Sequence, residues 1–220
     1  MVSLKELPVN TSPSALFFSS PQQRTTLARQ RYFEEGEIPS GVINSEVLAS
    51  WARCKRMRLN PRDALAFNPV TASRAQLALQ RNRQLIEAWN NELTEIERTL
   101  VGTSCSAILT DSSGVLVGAT GPGRPDAKIV LSAHRVGINL SEESVGTTAP
   151  GLVLKTGKPA AVLGGEHFYE GVGPMYCAAA PIHNTLGQVM GVFDVSSEGK
   201  PFDFDATSVV SLYATSIENR

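Results

Sequence analysis

The chain has 220 residues, 42% of them hydrophobic, with 20 basic side chains against 21 acidic ones. That apolar share excludes a disordered protein, and the near-neutral balance argues against a chain built as a whole for nucleic acid or a membrane surface. Cys54, Cys105 and Cys177 are too few and too scattered for a disulfide framework, and no pair has the spacing of a structural zinc site. The N-terminus lacks a signal-peptide pattern and no apolar run reaches about 18 residues, so a soluble, cytoplasmic protein without membrane contact is expected. Charge divides unevenly, with 13 Lys/Arg and 10 Asp/Glu in residues 1–100 and 7 and 11 in residues 101–220.

In chain order, residues 1–43 read as a loose Ser/Pro/Thr-rich arm to about Gln23 followed by a short helix, and residues 44–72 as a helical N-terminal segment. In "NSEVLASWARCKRMRL", Val47, Leu48, Trp51 and Leu59 can share one helical face, while Arg53, Lys55, Arg56 and Arg58 mostly lie elsewhere. Such a face is either solvated or offered to a partner. Residues 73–220 read as one domain. Ser73 and Gln76 form a capping-box signature, and Leu85, Trp89, Leu93, Ile96 and Leu100 make one apolar stripe to near Gly102. The stripe can pack on its own sheet or form a two-helix seam with a second subunit.

From Ser104 the period becomes that of strands. Ser106–Asp111 and Val115–Thr120 flank a tight turn. Ser141 is a plausible N-cap with Glu142 and Glu143 in the first turn, and Pro150 and Gly157 bracket a short helix. Ala160–Gly165, Cys177–Ile182 and Val189–Ser197 read as three more strands, and Asp205 caps a final helix from Ala206 to about Asn219. The sum is an α+β architecture, an antiparallel sheet with helices on one face.

The stretch "GGEHFYEGVGPMYCAAAPI" (residues 164–182) concentrates the candidate chemistry. Glu166 and His167 are adjacent, so they diverge on either a strand or a helix and make a poor base and orienter. A Cys177 nucleophile with His167 as base needs only nearness in space, but no oxyanion-hole motif accompanies it. Neither HExxH nor CxxC geometry supports a metal, and no cofactor is expected. "GLVLKTGKP" fails as a phosphate loop: five residues separate Gly151 from Gly157, and Pro159 stands where a magnesium-holding hydroxyl is required. The remaining reading is recognition of a small molecule, with small residues leaving space, Phe168, Tyr169, Met175 and Tyr176 as walls, and His167, Thr147 and Thr148 as directed polar contacts.

Four stretches in register, "SWARCKRMRLNP", "GTSCSAILTDSSGVLV", "GINLSEESVGTTAPGLVLKTGKPAAVLGGEHF" and "CAAAPIHNTLGQVMGVFDVSS", resemble the N-terminal sensory region of acetoin-catabolism-regulator-like, sigma-54-dependent transcriptional activators. The resemblance implies a GAF sensor domain over residues 73–220 that controls an AAA+ ATPase absent from this chain. It implies no enzymatic activity, and contact with DNA and sigma-54 RNA polymerase only through domains outside these residues. A small-molecule effector is expected, held by Glu166, His167, Phe168, Cys177, Thr147, Thr148, Tyr176 and Asp194, and a homodimer through the helices. The final helix is the expected output. Where relatives show Gly-Thr-Asn-Ala-Ile-Gly this chain has Gly146-Thr147-Thr148-Ala149-Pro150-Gly151, and the cyclic-nucleotide GAF signature is missing. The alternatives are a thiol redox sensor or enzyme using Cys105 and Cys177, and a ligand-free dimerisation module.

Overall fold

The computed structural model describes residues 20–220; most of the expected N-terminal arm lies outside the described residues. The chain divides into two compact units, one ending at Ser45 and the other spanning Glu46–Arg220. In the first, α1 (Pro21–Arg29) is capped by Ser20, whose hydroxyl accepts the Gln23 N–H, and runs into a π-helical stretch, Gln30–Glu35. Gly36 ends it at φ +73°, a conformation that needs no Cβ to be accommodated.

The second unit is built on one five-stranded antiparallel sheet, order β2-β1-β5-β4-β3, formed by β1 (Cys105–Asp111), β2 (Leu116–Ala119), β3 (Ala160–Leu163), β4 (Met175–His183) and β5 (Val189–Glu198). The helices are α2 (Ser45–Arg56), α3 (Ala72–Arg81), α4 (Arg83–Leu100), α5 (Lys128–Ala133), α6 (Glu142–Val145), α7 (Ala149–Thr156) and α8 (Ala206–Glu218). This is the expected α+β architecture, an antiparallel sheet with helices ahead of it. The β1–β2 turn closes because the Asp111 carboxylate accepts from the Ser113 N–H, the Ser113 hydroxyl and the Val115 N–H, at 2.8–2.9 Å.

Period-2 alternation decides what each face of the sheet sees. Cys105, Ala107, Leu109, Ala178, Ala180, Ile182, Phe193 and Val195 face α4 and α8 and build the main core with Leu85, Trp89, Ile96, Val210, Tyr213 and Ile217. Trp89 and Phe193 lie 5.7 Å apart between ring centroids, and Phe193 and Tyr213 5.6 Å. Gly118 lets Trp89 approach the sheet, since a Cβ there would come within 3.1 Å of the indole nitrogen. On the other face, Ile108 and Leu116 pack with Ile138, Leu140 and Val145.

Three expectations need correction. Helices cover both faces of the sheet, not one: α7 packs on β4 and β5, and α5 on β5. The long helix is two, because Asn82 leaves the α region (φ −104°, ψ 24°) with its side-chain amide donating to the Ala78 carbonyl. Its start is capped by Thr71, whose hydroxyl accepts the Arg74 N–H at 3.3 Å, while Ser73 sits inside the first turn. Of the two readings of the α4 stripe, packing on the domain's own sheet is the one observed: Leu85, Trp89, Ile96 and Leu100 are buried in the core, with Leu93 partly buried against it.

Candidate functional site

On the face away from α4 and α8 the sheet does not close completely. A cavity of about 40 Å³ lies over β1, β4 and β5, above the roughly 10–15 Å³ that one water needs. Its floor is Ile108, Cys177, Asp194 and Ser196. Its walls come from α5 and the residue after it (Ile129, Ala133, His134), the α7 entry (Thr148, Pro150), the 164–175 segment (His167, Val172, Met175) and the connection between α2 and α3 (Leu65, Phe67).

The floor carries the chemistry. Asp194 and Ser196 are two apart on β5, so both project to the cavity face, and the register opposes Cys177 to Ser196. Ser196 Oγ lies 2.6 Å from Asp194 Oδ2 and 3.3 Å from Cys177 Sγ. One hydroxyl has one hydrogen. When it goes to the carboxylate, the thiol can donate to Ser196, giving a chain thiol–hydroxyl–carboxyl. Asp194 Oδ1 has no hydrogen-bond partner although the residue is 1% exposed. Burial pushes the Asp194 carboxyl up to about 7, opposed by the Ser196 hydrogen bond. Burial first, and then the Asp194 charge, push the Cys177 thiol well up. His134, whose Nδ1 lies 3.0 Å from Ser106 Oγ, is pushed down to about 4 by desolvation and is neutral at physiological pH. His167 is 2% exposed; its Nδ1 lies 2.9 Å from the Gly164 carbonyl. A carbonyl only accepts, so Nδ1 holds the proton.

The structure brings four of the eight expected residues to the cavity: His167, Cys177, Thr148 and Asp194. The other four are placed elsewhere. Phe168 is fully buried, edge-on to Tyr169, against Gly146, where a Cβ would come within 2.8 Å. Glu166 folds back so that its carboxylate accepts the Leu163 N–H at 2.9 Å. Tyr176 alternates with Cys177 along β4 and so belongs to the opposite face. Thr147 turns toward α2, 2.7 Å from Ser50 Oγ. Thr148 and Pro150, at the departures from the family pattern, fit the helix they begin: Thr148 accepts the Gly151 N–H and Pro150 falls in the first turn, where no backbone donor is needed. Sequence reasoning missed His134 and Ser196; for Ser196 the signal was its place two residues after Asp194.

A buried polar cluster adjoins the cavity wall. Glu142 accepts from Arg53 Nε (2.7 Å) and Nη2 (2.6 Å) and from Ser50 Oγ (2.6 Å), tying α2 to α6. The bidentate bond raises the Arg53 guanidinium further. Arg53 thus leaves the solvated basic face that the helix pattern suggested.

This geometry bears against the thiol reading. Cys105 opposes Ser197 and Cys177 opposes Ser196, so the two thiols point to opposite faces of the sheet and cannot form a disulfide. All three thiols are buried and held protonated, with burial the leading cause in each.

Residues 21–216 match the model of the MimR N-terminal domain. The chain belongs to that family. MimR-type relatives include the propane 2-monooxygenase operon transcriptional activator MimR of Mycolicibacterium smegmatis, 25% identical over 80% of this chain and 29% of that protein. The acetoin dehydrogenase operon transcriptional activator AcoR of Bacillus subtilis is 28% identical over 76% of this chain and 28% of its own length. The chain therefore spans under a third of these relatives. Among solved structures, the E. coli DhaR(N)–DhaL complex aligns with a TM-score of 0.74 at 14% identity, over 80% of this chain and 60% of that one, a likeness of fold. Among the described residues no helix is long and apolar enough to cross a membrane.

Proposed function

We propose that this MimR-type domain is the effector sensor of a sigma-54-dependent transcriptional activator, and that a compact, uncharged molecule binds in the cavity over β1, β4 and β5. The observation that carries the reading is Asp194: a buried carboxyl with one oxygen unpartnered, facing a hollow otherwise lined mainly by apolar side chains. A buried polar atom without a partner is costly. A ligand group that reaches Oδ1 removes that cost, and the apolar wall selects against ions. In the full-length activator the bound state would be passed to an AAA+ ATPase by population shift, which requires that the ligand prefer one arrangement of the domain. The relatives' names as transcriptional activators support a regulatory role, and the protonated Cys177, without an imidazole partner, supports no reaction.

The test is a thermal-shift screen with small diols, ketones, aromatic alcohols and metal ions. A ligand at a hundred times its Kd adds about 2.7 kcal/mol, or roughly 5–10 °C in Tm for a domain of this size. At least one neutral compound is expected to give such a shift in the natural chain and none in Ala133→Leu, which fills the hollow. A panel without effect, or a shift that survives the plug, overturns the reading.

A further inference from the structure

The helix expected to report on the sensor is α8, yet α8 packs on the face of the sheet away from the cavity. The helix that grips the cavity wall is α2. It does so at two points, each a single residue from a side chain that lines the hollow. Trp51, fully buried, donates its indole N–H to the Glu166 carbonyl at 2.8 Å, and the next residue is His167. The turn carrying His167 is also held by the Glu166 carboxylate on the Leu163 N–H and by His167 Nδ1 on the Gly164 carbonyl. Trp51 thus adds a hold from α2, 115 residues away in the chain. Ser50 contacts Thr147 Oγ1 at 2.7 Å, and the next residue is Thr148, which lines the cavity and caps α7. The two grips are joined, since the Phe168 N–H reaches the Thr147 carbonyl at 3.4 Å.

We propose that Trp51 and Ser50 are positioning residues of the cavity, acting through Glu166 and Thr147 on His167 and Thr148, so that cavity occupancy and the docking of α2 are coupled. This rests on the reading of the cavity as the effector site. The physical basis is that the α2 contacts are hydrogen bonds, buried for Ser50 and part-buried for Trp51, made or broken rather than stretched, and that a displacement of His167 crosses one peptide unit to reach Trp51 but the whole sheet to reach α8. Coupling is reciprocal: whatever loosens α2 must weaken binding by the same factor.

Xenon, a neutral guest for small apolar cavities, serves as probe in NMR on the whole chain with labelled indole and imidazole nitrogens. Under saturating xenon the Ile108 methyl resonances shift, the Trp51 indole N–H resonance shifts with them, and that of Trp89, on the far face, stays in place. In Trp51→Phe the ring-nitrogen resonances of His167 move and xenon affinity falls several-fold; Ser50→Ala lowers affinity less and leaves His167 on its Nδ1–H tautomer. Shifts at Ile108 with Trp51 unmoved, or a Trp51→Phe chain whose His167 resonances and xenon affinity match the natural chain, overturn the coupling while leaving the sensor reading intact. Silence at Ile108 overturns both. If Trp51→Phe does not fold, the indole response of the natural chain decides.

Discussion

The two faces of the sheet are made from the same five strands and are organised on different terms. Toward α4 and α8, alternation delivers an almost wholly apolar layer in which Trp89, Phe193 and Tyr213 stack in sequence. Toward α5 and α7 the same strands present Ser106, Cys177, Asp194 and Ser196 beside a hollow, and α2 and α6 are joined by the Arg53–Glu142 ion pair. One face is optimised for cohesion. The other retains an unpartnered acid and empty space, both of which cost stability.

Large truncations should separate the faces most strongly. Trp89→Ala empties the closed layer and is expected to cost about 3–5 kcal/mol, read as a lower denaturant midpoint with any cavity-probe response of the surviving fold unchanged. Arg53→Ala acts on the other side, stranding the Glu142 carboxylate, which is 0% exposed, and should cost about 3 kcal/mol. The double change Arg53→Met with Glu142→Leu should recover most of that loss in the same melt.

A smaller effect concerns pH. Asp194 in the fold titrates near 7, above its unfolded value, so the native state holds the extra proton and stability falls as pH rises from about 4 to about 7. His134 has the opposite sign: its folded value near 4 lies below the unfolded one, so the unfolded chain binds the extra proton and stability rises between about 4 and 6.5. The two slopes, each at most about 1.4 kcal/mol per pH unit, nearly cancel below pH 6. Asp194→Asn should unmask the rise and His134→Asn the fall; parallel stability–pH curves for both variants would contradict these assignments. At the bottom of the scale, Thr71→Ala should cost about 1 kcal/mol and Ser73→Ala under about 0.5 kcal/mol, which sharpens where the helix before the closed layer begins.

The closed face was far more legible in the sequence than the open one. The stripe from Leu85 to Leu100 and the five strands follow from periodicity, which survives in a face that obeys a single rule. The helix break at Asn82 was missed because a side-chain amide bonded to Ala78 leaves no mark on the apolar pattern. On the open side, alternation could place Asp194 and Cys177 together once the register was known, yet register is not written in either strand alone. His134 reaches the cavity from a short helix with little periodicity, and the path of 164–168 depends on long-range contacts such as Trp51 with Glu166, 115 residues apart. The sequence reading put Glu166, His167 and Phe168 all in the lining, with His167 as the polar contact and Phe168 as a wall, whereas of the three only His167 reaches the cavity.

The hydrogen of Ser196 has two claimants, and burial pushes the Asp194 carboxyl up to about 7. A guest that donates to Oδ1, as an alcohol does, stabilises the anion and sends a proton out to the medium. One that only accepts, as a ketone does, favours the acid and draws a proton in. The hollow would thereby sort its visitors by the direction in which the solution's acidity moves when they enter, and the heat of binding would change from one buffer to another with opposite sign for the two kinds.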